Sequence, residues 1–237
     1  MIAKGAFAIV TLLAAFSLTV GPVSANPPGT YEVTITNLTS GQPLTPALVS
    51  THRGNDGLFR VGRSASLGLT EIAENGNLQP MIDRIDSDRD FIAHVVKTGE
   101  TGVPPVMPGE TVSVTIDASP PHNFLSWASM LICTNDGFTG VDTLKLPSTI
   151  GGSVTIHTQG YDAGTEINTE LFADIVPPCA PLTGQDNMGQ GTDISDPTLA
   201  EGGVIHHHAG ILGVGDLDPT INDWTNPVAM ITVERIG

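Results

Sequence analysis

Short runs in this chain place apolar residues at every second position, and turn residues separate one run from the next. Thr111-Val112-Ser113-Val114-Thr115-Ile116-Asp117 is the cleanest example. Successive side chains on a strand point to opposite faces, so this alternation describes a strand with one apolar face and one polar face. Tyr31-Glu32-Val33-Thr34-Ile35-Thr36 and Ser153-Val154-Thr155-Ile156-His157-Thr158 repeat the pattern. Residues 47–52, 91–96 and 228–234 also read as strands. Residues 124–132 are nearly continuously apolar, as for a central strand buried on both faces. Gly, Pro, Asn and Asp cluster between the runs, drawing on 27 Gly and 18 Pro in 237 residues, which is turn chemistry rather than helix chemistry. Two segments depart from the pattern. Residues 67–74 carry apolar side chains at helical spacing and stop at Asn75-Gly76, and Asn77 can open a second turn through Leu78, Met81 and Ile82. The expectation is a mainly β protein: an antiparallel β-sandwich with one or two short helices covering an end.

The first residues indicate a compartment. Lys4 precedes an apolar run over 6–20, Gly21-Pro22 ends that run, and Val23-Ser24-Ala25 offers small residues for cleavage. These are the three parts of a secretory signal peptide, predicted over residues 1–25. The run is too short for a comfortable membrane span, and no second long apolar stretch follows. The mature chain, residues 26–237, is about 212 residues long and suits one β-rich domain. Residues 174–203, polar and rich in Pro, Gly and Asp, read as a long irregular loop. The expected location is secreted, periplasmic or cell-surface.

Export also bears on the two cysteines. Cys133 and Cys179 are expected to form a disulfide in an oxidising compartment. Closing a loop of about 45 residues would contribute about 4 kcal/mol on the chain-entropy model. Two buried free thiols are the alternative.

The formal net charge is −16, from 25 acidic and 9 basic residues, and losing Lys4 with the signal makes it about −17. Such a chain repels nucleic acid and anionic lipid, and favours cations. Two acidic segments carry the local signal. Asn135-Asp136-Gly137-Phe138-Thr139-Gly140-Val141-Asp142 and Tyr161-Asp162-Ala163-Gly164-Thr165-Glu166 each combine acids with glycines that permit tight turns. Read as loops after strands at one end of a sandwich, they present hard oxygen ligands suited to Ca²⁺. Asp142 reads as a solvated turn residue.

A rival site is the run His206-His207-His208, with Asp216 and Asp218 following. On a strand, His206 and His208 would share a face and could bind Zn²⁺ or Cu²⁺, with Asp216, Asp218, His122 or His157 as a third ligand. That arrangement with an open position would describe a secreted metal-dependent hydrolase. Other catalytic signals are thin: there is no Gly-x-Ser-x-Gly elbow, phosphate-binding Gly loop or dinucleotide fingerprint. Trp127 and Trp224 read as core residues.

The order of these segments resembles the spondin domain, the module of F-spondin and mindin that also occurs alone in exported bacterial proteins. The matching pieces are Tyr31 to Thr39, Gln42 to Pro46, Leu69 to Gly76, Phe124 to Met130, the two acidic segments, and Trp224 to Ile236. The resemblance implies a β-sandwich and a bound calcium held by Asp136, Asp162 and Glu166. The chain departs from the animal pattern in two places. Gly137 follows Asp136 where Trp is usual after the Asp, and Glu166 stands where Asp is usual. The resemblance also implies a non-enzymatic adhesion or interaction module whose partner is an extracellular or cell-surface protein or matrix component. No residue that contacts a receptor can be carried over.

Overall fold

The computed structural model describes residues 28–54, 57–102, 104–185, 191–192 and 194–237. The expected signal peptide over residues 1–25 lies outside the described residues.

In chain order the elements are β1 (Gly29–Asn37), β2 (Ala47–His52), α1 (Leu67–Asn75), α2 (Gln79–Ser87), β3 (Phe91–Lys97), β4 (Thr111–Ala118), β5 (Phe124–Met130), β6 (Gly137–Lys145), β7 (Ser153–Thr158), β8 (Gly160–Asp162), α3 (Cys179–Thr183), β9 (His206–His207), α4 (Pro219–Asn222) and β10 (Ala229–Arg235). The strands form two antiparallel sheets. One has four strands in the order β4-β1-β10-β7, and the other has six in the order β3-β2-β5-β6-β8-β9. The β-sandwich expected from the sequence is the fold observed.

The four-stranded sheet keeps the two-faced character of its sequence. Tyr31, Val33 and Ile35 from β1, Val112 and Ile116 from β4, and Ile231 and Val233 from β10 are buried on its inner face. Its outer face carries hydroxyl pairs across strands, with oxygens 2.9 Å apart at Thr34–Ser113, Thr36–Thr111 and Thr155–Thr232. Such cross-strand pairs fix register without covering the face. Arg235 closes one end of this sheet. Its guanidinium donates to the carbonyls of Gly237 at 2.9 Å, Ser148 at 2.7 Å and Pro28 at 3.2 Å.

The six-stranded sheet is covered on both faces, which explains the unbroken apolar runs. Val49, Leu125 and Trp127 face the sandwich core. Leu48, Ala128 and Phe138 face the other way, against Leu69, Ile72, Met81 and Ile85 of the helices. Each large apolar side chain so buried contributes about 1.5–3 kcal/mol. The helices therefore cover a sheet face rather than only an end. Ser66 caps α1 by accepting the Leu69 N–H at 3.3 Å, and Gly76, at φ 64°, ends it in the left-handed conformation.

Three sequence expectations change. The segment Asn135–Asp142, read as a loop, is strand from Gly137 onward, because β5 and β8 pair with it on either side. The run read as one strand over 124–132 stops at Met130, and residues 131–136 turn toward β6. The segment 174–203, read as irregular throughout, contains α3. The expected disulfide is formed, with Cys133 and Cys179 bridged across a sequence separation of 46. It ties α3 to the turn that carries Asp136.

Candidate functional site

The turn between β5 and β6 delivers Asp136. Its Leu131 N–H donates to the Gly137 carbonyl at 2.8 Å, and the Gly137 N–H donates to the Thr134 hydroxyl at 2.9 Å. On the next strand Asp162 lies opposite Gly137 in register, so pairing of β6 with β8 brings the two acidic segments together. The chain then turns at Gly164, where φ is 68°, and returns through Thr165 and Glu166. The positive φ requires glycine there.

That return gives Asp136 an asymmetric environment. Its Oδ2 accepts the N–H of Thr165 at 2.7 Å, the N–H of Glu166 at 3.0 Å and the Thr165 hydroxyl at 3.1 Å. Its Oδ1 is buried and, among the described residues, has no hydrogen-bond partner. Asp162 accepts the Gly164 N–H at 2.7 Å on one oxygen and the Asn168 amide at 2.6 Å on the other. Both aspartates are essentially fully buried. Burial, and then the charge of Asp162, push the Asp136 pKa from 3.8 up to about 6, against the opposing effect of its hydrogen bonds to Glu166 and Thr165.

Glu166 takes a double position. Its backbone binds Asp136, while its buried carboxylate accepts the Asp196 N–H at 3.2 Å. Burial first, then the charges of Glu74, Asp136 and Asp174, raise its pKa from 4.5 to about 7. Among the described residues, no three His, Cys, Asp or Glu side chains are gathered as a metal-binding group. What suits a hard cation is narrower: a buried acceptor oxygen without a donor, on an aspartate held beside a second aspartate. The two carboxylates together present oxygen atoms of the kind that Ca²⁺ accepts, and Glu166 is the neighbouring third.

Asp142 lies apart from this cluster. It sits within β6, with Arg60 at 4.0 Å. The histidine run reaches the cluster from the other side, because β9 pairs with β8 and places His206 opposite Asp162. His206 Nδ1 is 3.7 Å from Asp162 Oδ1. His207 stacks on Tyr161. His208 is buried against Trp224; its Nδ1 accepts the Gly210 N–H, and desolvation lowers its pKa. The other residues considered for that site are occupied elsewhere. Asp216 accepts the Phe172 N–H at 2.7 Å, and Asp218 caps α4 through the Thr220 N–H. His157 is on β7 in the opposite sheet, and His122 meets the Arg89 carbonyl.

Two buried acids escaped the sequence reading. Glu170 accepts the N–H groups of Leu212 at 2.7 Å and Val214 at 2.9 Å, a structural task. Glu74 on α1 is buried, and among the described residues its Oε2 has no hydrogen-bond partner.

Comparison with known proteins agrees with this architecture. The Spondin_N family profile matches residues 37–174, more than half of the chain, and the protein belongs to that family. No curated protein matches the chain. Domains of this family are typically extracellular. Among the described residues no helix is long and apolar enough to cross a membrane.

Proposed function

We propose that this spondin domain is an exported, non-enzymatic interaction module whose acidic end binds calcium. The observation that carries this reading is the unpartnered, buried Oδ1 of Asp136 beside Asp162. A buried carboxylate oxygen that receives no hydrogen bond from the protein is costly unless a cation joins it. Asp136 and Asp162 would anchor the ion, Glu166 would swing in as the third carboxylate, and backbone carbonyls and water would complete six to eight oxygen ligands. A bound ion would hold the turn before β6 and the segment after β8 together. Segments fixed in advance lose less entropy when a partner docks, so calcium would support recognition as well as stability. The partner class is an extracellular or cell-surface protein or matrix component.

Calcium titration by calorimetry, beside an Asp162→Asn variant, tests the reading. Saturable binding by the parent and its loss in the variant is the expected result. Absence of calcium binding in both proteins would remove the metal from the proposal.

A further inference from the structure

A second acidic feature lies on the far side of Glu166. An open groove of about 510 Å³ runs between α1 and the segments around Gly164–Glu166 and residues 195–203. Its walls are tied together by backbone and side-chain hydrogen bonds. Asn75 Nδ2 donates to Ser195 Oγ at 2.9 Å, the Glu201 N–H to the Thr165 carbonyl at 3.0 Å, and the Gly203 N–H to the Gly164 carbonyl at 2.7 Å. The cleft is therefore a built part of the domain rather than a gap between loose loops.

The floor and rim of the groove differ chemically. Glu74 and Glu166 line it with relative exposures of 6% and 4%. Glu74 Oε2 is buried and, among the described residues, has no hydrogen-bond partner, and the charge of Glu74 is one of those that disfavour ionisation of Glu166. Among the described residues no Lys or Arg lines the groove and neither glutamate forms an ion pair. The rim is apolar: Leu67 is 73% exposed, and Pro197 and Ala200 are exposed beside it. A deep negative floor beneath an apolar rim is complementary to a side chain with a methylene stem and a cationic head.

We propose that this groove docks a basic side chain of a partner protein, with the cationic head held between Glu74 and Glu166 and the stem lying along Leu67 and Pro197. The incoming donor satisfies the orphaned Glu74 oxygen and relieves the repulsion between the two glutamates. It does so without displacing the Asp196 N–H from Glu166. The inference does not rest on calcium at Asp136 and Asp162, although Glu166 borders both places. It adds a site of stated charge through which the module would select its partner.

The test is a nitrogen-15 NMR titration of the protein in chelator with N-acetyl-lysine N-methylamide. N-acetyl-norleucine N-methylamide serves as the uncharged probe of similar shape. The lysine probe is expected to shift the amides of Gly164, Asp196 and Gly203 saturably, and the norleucine probe to leave them in place. Glu74→Gln is expected to weaken the lysine probe about tenfold or more, as loss of a charge-assisted hydrogen bond does. Asp162→Asn should bind the probe as the parent does, so a failed calcium site and a failed groove give different results. Glu166→Gln provides a second weakened variant should Glu74→Gln fold poorly. Equal shifts with both probes, or none with lysine, overturn the proposal. So does calcium that displaces lysine from the groove in the Asp162→Asn protein, which would make the glutamates a metal centre.

Discussion

Asp136→Asn should make the metal-free protein more stable at neutral pH, although it removes a residue of the candidate site. In the folded protein the Asp136 pKa stands at about 6, above its ordinary value of 3.8. A group whose folded pKa is raised contributes stability below its unfolded pKa and loses it as pH rises through the folded value. The window here is about pH 4 to 6. Above it, the ionised carboxylate lowers stability by about 3 kcal/mol, from 1.36 kcal/mol for each tenfold change in proton affinity. Asparagine keeps the shape and remains uncharged, and its carbonyl can accept from Thr165 and Glu166. Its amide then sits where Oδ1 was, with no acceptor, and that unmet donor offsets part of the gain. A net stabilisation of about 1–2 kcal/mol remains, which for a domain of this length is an increase in Tm of about 2–8 °C. Thermal unfolding of both proteins in chelator between pH 4 and 8 measures it. The difference between the two should appear across pH 4 to 6 and grow a little further near pH 7, where Glu166 ionises against the Asp136 charge in the parent alone. With calcium added at pH 7, the order should reverse, because only the parent gains linkage stabilisation. A variant less stable than its parent in chelator, with a pH-independent difference, would refute the argument from a buried, unpartnered charge.

Replacing Cys133 and Cys179 together with alanine should cost about 4 kcal/mol in urea unfolding, from the loop that the bridge closes. Gly140→Ala should destabilise by about 1–3 kcal/mol in the same assay, since a methyl group there meets the Trp127 carbonyl of the paired strand. His206→Ala combined with His208→Ala should leave the calcium isotherm intact. A loss of calcium binding in that variant would place the histidine run in the metal site and revive a catalytic reading.

The strands legible in the sequence were those with one wet face. β4 and β7 alternate because the outer side of their sheet meets water, so each polar residue marks a position. β6 was hidden for the opposite reason. Phe138, Thr139 and Gly140 are all buried, and Gly140 is glycine because strand β5 approaches closely, not because the chain turns. β8 and β9 have three and two residues, too few to show any period. At the site, Asp136 and Asp162 stood out as acids beside turn glycines, and register then placed them together. Glu74 gave no such signal. It lines one groove with Thr70 and Glu71 of α1 and with segments around Thr165 and Pro197 that are distant in sequence.

The pairing of β1 with β10 has a mechanical consequence. The two strands run antiparallel, with Tyr31 opposite Arg235 at one end of the ladder and Asn37 opposite Ala229 at the other. A force that draws the chain before β1 away from the chain after β10 does not load these rungs together, as lengthwise sliding of strands would. It opens them one at a time, beginning with the backbone bonds of Thr30 to Ile236 and Gly237 and passing on to Tyr31 and Arg235. The Arg235 guanidinium, which donates to the carbonyls of Gly237, Ser148 and Pro28 beside those bonds, reinforces the end from which the sheet would peel. Resistance to such pulling is therefore gathered at one end of the seam, where these backbone and side-chain bonds lie together.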